Sequence, residues 1–136
     1  MALISVWNRN FLDIKAQAIL PYSQKLHCLP AYLRQQDMES NGKTVNSDGE
    51  FIRNYQTGPV IFGEAGTNGQ HSFYQFLHQG SDIVACDFIG IIQPDHTEQE
   101  HHNILLSNML AQGQALMEGR QDKEDTNKYF SGSKPC

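Results

Sequence analysis

Ala16-Gln17-Ala18-Ile19-Leu20, stopped by Pro21, is the stretch whose reading decides the fold. It is apolar at every position but one and too short to be a stable helix. Such a near-continuous apolar run is what a strand shows when helices cover both faces of its sheet, whereas a half-exposed strand alternates. Two further runs share the character: Pro59-Val60-Ile61-Phe62-Gly63, and Ile83 to Ile92, rich in β-branched residues. Helix-period segments lie between and around them. Leu26, Leu29 and Leu33 recur at i, i+3, i+7, with Ser23 available as a cap and Pro30 expected to kink the segment or start a new turn. Thr67-Asn68-Gly69-Gln70 has the capping-box pattern and leads into Phe73, Phe76 and Leu77 at i, i+3, i+4. Residues 104–117 carry two adjacent stripes, Leu105–Met109–Leu116 and Leu106–Leu110–Met117, and form the longest predicted helix; Leu3–Leu12 is one more. Residues 40–50 read as a polar loop or hairpin turning at Asp48-Gly49, and residues 118–128 as a charged loop.

Strand–helix repeated three times predicts an α/β fold: a three-layer αβα domain with a parallel sheet. Three strands are few for such a sheet, so the chain reads as part of a larger one. Ligands of these sheets sit at the carboxyl ends of the strands. The loops after Leu20, Gly63 and Ile92 are therefore where chemistry is expected.

Composition narrows the function classes. The chain has 136 residues, one domain's worth, and 39% are hydrophobic, enough for a packed core. The net charge of −5 excludes a basic nucleic-acid footprint. No apolar run approaches the roughly 18 residues that cross a bilayer. The first residues carry no basic region or cleavage-like end and do not read as a signal peptide. Cys28, Cys86 and Cys136 are widely spaced, with no disulfide or zinc pattern, as expected in a reducing cytoplasm. Only 18% of residues are charged; 13 Gln and 9 Asn carry the remaining polarity, which suits polyhydroxyl ligands and ordinary subunit contacts alike.

Three places bear reactive side chains. In Gln35-Gln36-Asp37-Met38-Glu39-Ser40-Asn41-Gly42-Lys43, the two carboxylates are two positions apart and fall on different helix faces, so they are not a cooperating dyad. One carboxylate in a cleft serves as a proton-transfer base; both in solvent merely cover a helix end. Gly63-Glu64-Ala65-Gly66-Thr67-Asn68-Gly69-Gln70-His71 is a glycine-rich turn whose backbone N–H groups suit an anion, but it lacks the P-loop Lys-Ser/Thr and the GxGxxG spacing. His71 reads as a residue of the first helical turn, at the surface or near a cap. His96, His101 and His102 lie among acids without the spacing of a metal site, and no metal is expected. Cys86 reads as an inert core thiol, and Trp7 and Phe73-Tyr74 as packing.

Read together, the segments resemble the phosphoglucose isomerase (glucose-6-phosphate isomerase) family. The resemblance rests on Leu20-Pro21-Tyr22-Ser23-Gln24, Asp37-Met38-Glu39-Ser40-Asn41-Gly42-Lys43, Gln56-Thr57-Gly58-Pro59 and Gly63 through His71 with Phe73-Tyr74-Gln75. It continues through His78-Gln79-Gly80, Cys86-Asp87-Phe88-Ile89, and His101-His102 with Leu105-Leu106-Ser107-Asn108, in this order and spacing. It runs from about Val6 to about Pro135, and the DMESNGK and GTNGQH stretches are its most specific parts. Departures are mild: Gln36 where a small or apolar residue is usual, Gly-Glu-Ala-Gly for the usual GEPG, and Phe62 for a Trp.

The resemblance implies that residues 1–136 are a single partial sugar-isomerase (SIS) domain of an enzyme several times longer. That enzyme interconverts glucose 6-phosphate and fructose 6-phosphate in glycolysis and gluconeogenesis by a proton shuttle through a cis-enediol. By resemblance Glu39 is the catalytic base, and His71 assists ring opening in the active site of a partner subunit. Gln35, four residues before the base, contacts substrate together with Glu39 and His71. The implied enzyme is a cytoplasmic homodimer needing no cofactor and no metal, with no nucleic-acid or membrane partner. The family's Ser/Thr-rich phosphate loop, its enediolate-stabilising arginine and its C-terminal lysine have no match in this chain, so the segment alone is expected to be inactive. The alternative is a non-catalytic phosphosugar-binding SIS module.

Overall fold

A computed structural model describes residues 2–120 and 130–131. Three strands, β1 (Ala16–Tyr22), β2 (Val60–Gly63) and β3 (Val84–Gly90), form one parallel sheet in the order β2-β1-β3. Each coincides with an apolar run of the sequence. Ala16 of β1 is level with Val60 on one side and Val84 on the other. β2 leaves the sheet after Ile19↔Gly63, whereas β3 continues to Tyr22↔Gly90.

That asymmetry explains why the strand runs through Pro21 instead of stopping before it. Lys15 O accepts from Val60 N at 2.8 Å, so the odd-numbered residues of β1 present their backbone polar groups toward β2. Pro21 has no N–H to donate, and it faces the side β2 has already vacated, so no ladder bond is lost.

The crossovers fix the layers. From β1 the chain passes through α2 (Leu29–Asn41) to β2 on one flank, then through α3 (Gly66–Gly69) and α4 (Tyr74–Gln79) to β3 on the other. Right-handed crossovers that travel in opposite directions put their helices on opposite faces. On one face Ala18, Leu20 and Tyr22 are fully buried with Tyr74; Phe73 and Leu77, and Leu105 and Met109 from α5 (Gln99–Glu118), pack against them. The Tyr22 and Tyr74 hydroxyls meet at 3.1 Å inside this core. On the other face Ile19 and Ile61 are buried. There α1 (Ala2–Phe11) reaches Gln17 through Ser5, and α2 packs on β2 and β1.

Several local expectations need correction. Residues 24–26 form a separate 3-10 turn, and Pro30 opens α2 in its first turn, where a missing N–H costs nothing. Ser23 makes no side-chain cap bond. Thr67 caps nothing either: the short α3 already starts at Gly66 with Ala65 as its cap residue, and α4 begins only at Tyr74. Trp7 is 54% exposed and, among the described residues, stacks only on Phe11, with ring centroids 4.6 Å apart. α5 starts at Gln99, five residues before the stretch read as helical. The polar loop does turn at Asp48-Gly49: Asn46 Oδ1 accepts from the backbone N–H groups of Asp48 and Glu50, and Val45 bridges Phe51. Part of the predicted 118–128 loop is a strand, since β4 (Gly119–Arg120) pairs antiparallel with β5 (Phe130–Ser131). The rest of that loop, and Cys136, lie outside the described residues.

Candidate active site

The candidate base is delivered by α2. The helix enters beside the carboxyl end of β1 and runs back along the sheet. Gly42 N donates to Met38 O at 2.9 Å to close its last turn, and Lys43 Nζ donates to Glu39 O. Gln35 and Glu39 are both exposed and, four positions apart, share one stripe of the helix. Asp37 lies on another face, where its Oδ1 accepts from Asn41 Nδ2 at 2.6 Å. The two carboxylates thus have separate surroundings, as their spacing requires.

The candidate imidazole comes from the glycine-rich turn. β2 ends at Gly63, α3 occupies Gly66–Gly69, and His71 sits exposed in the turn that follows, not in a helix. Its backbone N–H donates to Asn68 O at 3.0 Å, and the neighbouring Gln70 side chain donates to Asn108 Oδ1 of α5 at 2.7 Å. The glycine at position 66 serves packing: a Cβ there would collide with the ring of Tyr22. That close approach accounts for this glycine without invoking a phosphate cradle.

The structure places Glu39 and His71 at opposite edges of the sheet. Asn41 and Asp37 touch Gly58, two residues before β2 begins, and Met38 Sδ accepts from Ile61 N at 3.4 Å. Glu39 is therefore at the edge where the strands start. Gly66 lies on Tyr22, the last residue of β1, and Tyr74 bonds the same ring's hydroxyl. His71 is therefore beyond the edge where the strands finish. Seven residues of strand, about 20 Å of rise, separate the two anchors. The carboxyl-end rule anticipates His71 but not Glu39, which the length of α2 carries to the far edge.

A cleft of about 840 Å³ lies between α1, the end of α2 and the 43–59 loop. Asp37, Ser40 and Asn41 line it, while Gln35 and Glu39 do not. His96 and the buried His102 face each other with ring centroids 6.0 Å apart, and His101 is exposed; no group of three or more potential metal-binding side chains gathers among the described residues. Burial pushes the Cys86 thiol up to about 11, with the Asp87 carboxylate adding to it, which fits the inert-thiol reading. Burial and the Tyr22 hydroxyl push Tyr74 up further. Sequence reasoning missed two polar contacts that tie the layers together. Gln17 Nε2 donates to Asp87 Oδ2 at 2.6 Å across β1 and β3, and the Tyr22–Tyr74 pair joins sheet to α4. A glutamine in an otherwise apolar strand was the only signal of the first.

Parallel strands wrapped on both faces by helices, with an exposed carboxylate on one helix and an exposed imidazole after a glycine-rich turn, define an α/β domain of the sugar-isomerase type. The phosphoglucose isomerase family profile matches residues 1–134, and the chain belongs to that family. It is 53% identical over 135 residues to glucose-6-phosphate isomerase of Methylococcus capsulatus, covering 99% of this chain and 24% of that protein. It is 58% identical over 126 residues to the Pseudoalteromonas translucida glucose-6-phosphate isomerase, covering 93% and 23%. The crystal structure of a glucose-6-phosphate isomerase from Chlamydia trachomatis superposes with a TM-score of 0.81 at 41% identity, over 96% of this chain and 26% of that one. The chain thus spans about a quarter of the length of these relatives.

Proposed function

We propose that this chain supplies the proton-transfer groups of a phosphoglucose isomerase, with residues 1–136 forming part of one sugar-isomerase domain. The substrate pair is glucose 6-phosphate and fructose 6-phosphate. Once the ring is open, the Glu39 carboxylate removes the proton from C2, the electron pair of that bond forms the C1–C2 double bond, and O1 takes up a proton from solvent to give the enediol. The carboxylic acid then returns that proton to C1 on the same face while O2 releases its hydroxyl proton to solvent and C2 becomes the new carbonyl. One carboxylate suffices for both transfers, and neither step needs a cofactor or a metal. Gln35, one turn before Glu39 on the same stripe, holds a sugar hydroxyl through its amide, and His71 protonates the ring oxygen during opening.

One observation carries this reading: both groups are open to solvent, yet at opposite edges of one sheet. A sugar can reach either, but a single chain does not bring them together. A site built from Glu39 of one subunit and His71 of another, in a homodimer of the complete enzyme, answers both facts. The chain alone is expected to show little turnover. Each lost charge-stabilising donor typically costs about 10²–10³-fold, and the phosphate loop, arginine and lysine implied by the resemblance are all absent from it.

The test is Glu39→Gln in a complete enzyme carrying this segment. The shape is kept and the base removed, so exchange of C1 and C2 hydrogens should vanish while calorimetric binding of fructose 6-phosphate persists. Retained exchange rules Glu39 out. Tight phosphosugar binding by the 136-residue chain itself, without turnover, would favour a non-catalytic sugar-binding module instead.

A further inference from the structure

Asp37 stands where electrostatics alone disfavours a carboxylate. It is near the negative end of α2, whose last turn contains no basic residue. Its Oδ1 accepts from Asn41 Nδ2 at 2.6 Å, and Oδ2 is buried with no hydrogen-bond partner among the described residues. The backbone of Gly58 closes over this pair so tightly that a Cβ on Gly58 would fall 3.1 Å from Asp37 Oδ2 and 3.2 Å from Asn41 Cβ. Gly58 N also donates to Asn41 O at 3.5 Å, a long bond, and Pro59 and Val60 follow directly into β2. Asn41 O and the Met38 sulfur therefore fasten the end of α2 to the entry of β2, while Asp37 holds the Asn41 side chain and packs against Gly58. Glu39 rides on the same turn, but its carboxylate makes no hydrogen bond among the described residues. Where that carboxylate stands is set by the turn beneath it.

The geometry points to Asp37 as a positioning residue for Glu39: by holding the Asn41 side chain and packing on Gly58 it completes the clamp between the last turn of α2 and the entry of β2, which sets the place of the base against C1 and C2 of the sugar. This rests on Glu39 being the base. Asp37 itself faces Gly58 and acts through the helix. A displacement of the base by about 1 Å is enough to cost up to about 10²-fold in rate.

The test uses a complete phosphoglucose isomerase carrying this segment and glucose 6-phosphate deuterated at C2. The readout is the fraction of deuterium delivered to C1 against that lost to water, which does not depend on how much of the enzyme is folded. Asp37→Ala should lower kcat about 10- to 10²-fold with KM near the parent's, and should lower the transferred fraction, because a misplaced base leaves the enediol longer in contact with water. Asp37→Asn keeps an oxygen acceptor for Asn41 and should restore most of both. Gly58→Ala removes no polar group but pushes on the same clamp, and should shift the fraction in the same direction; it decides the matter if Asp37→Ala does not fold. Parental transfer fractions in Asp37→Ala and Gly58→Ala overturn the proposal. Glu39→Gln measured alongside separates the failures. If it abolishes exchange while the other two stay parental, only the role of Asp37 is wrong. If it keeps exchange, the base is misassigned and the positioning role falls with it.

Discussion

Asp37 and Glu39 show how two positions on a helix decide a side chain's part. One is turned to Gly58 and fixed; the other is exposed on the stripe it shares with Gln35. His71 is similarly exposed, on a backbone held by Asn68 and by the Gln70–Asn108 bond next to it. If it opens the sugar ring, His71→Ala in the complete enzyme should depress turnover of the cyclic substrate well below that of the open-chain form, by about 10²-fold. Stopped-flow assays on the two forms check this, and equal losses would argue against the role. The cysteines give a second residue-level prediction. Cys28 is exposed, whereas the Cys86 thiol is partly buried and raised to about 11. Iodoacetamide at pH 8 should label the Cys28 peptide of the folded protein and leave the Cys86 peptide unmodified until denaturant is added. Equal labelling would mean that β3 opens readily.

At the scale of elements, the strands were legible and their ends were not. Apolar runs identified β1, β2 and β3 because burial on both faces leaves no other pattern. Pro21 misled because its cost depends on which neighbour its nitrogen faces, a fact of register that a single strand does not contain. The capping box around Thr67 misled for a related reason. Tertiary contact between Gly66 and the Tyr22 ring claims that turn, and local propensity yields to it. The pattern of Leu26, Leu29 and Leu33 was right about a helix face but blind to the 3-10 turn before Pro30. Leu20 is the fully buried centre of β1, under α4 and α5. Leu20→Ala should cost about 2–5 kcal/mol by urea unfolding of the chain, because the two helices and the sheet cannot all close on the space left. A loss under about 1 kcal/mol would mean that this face is loosely packed.

For the whole molecule, a three-stranded sheet with open edges fits a chain that spans about a quarter of its relatives. Leu3, Trp7 and Phe11 of α1 and Ile83 and Ile92 around β3 are all exposed. The candidate residues Glu39 and His71 were singled out only through the family motifs. Spacing alone gave neither Glu39 nor His71 a role, because each is an exposed side chain and the two stand at opposite ends of β1. Their placement at opposite ends of β1 is the structural fact on which the functional account depends.

Subunit complementation tests it most directly. In the complete enzyme, Glu39→Gln subunits and His71→Ala subunits are each made separately, then unfolded together and refolded as a mixture. If every site takes its base from one subunit and its imidazole from the other, each mixed dimer regains one intact site, and random pairing restores about a quarter of the parental activity. Activity no greater than the sum of the two variants refolded separately would contradict a site shared between subunits.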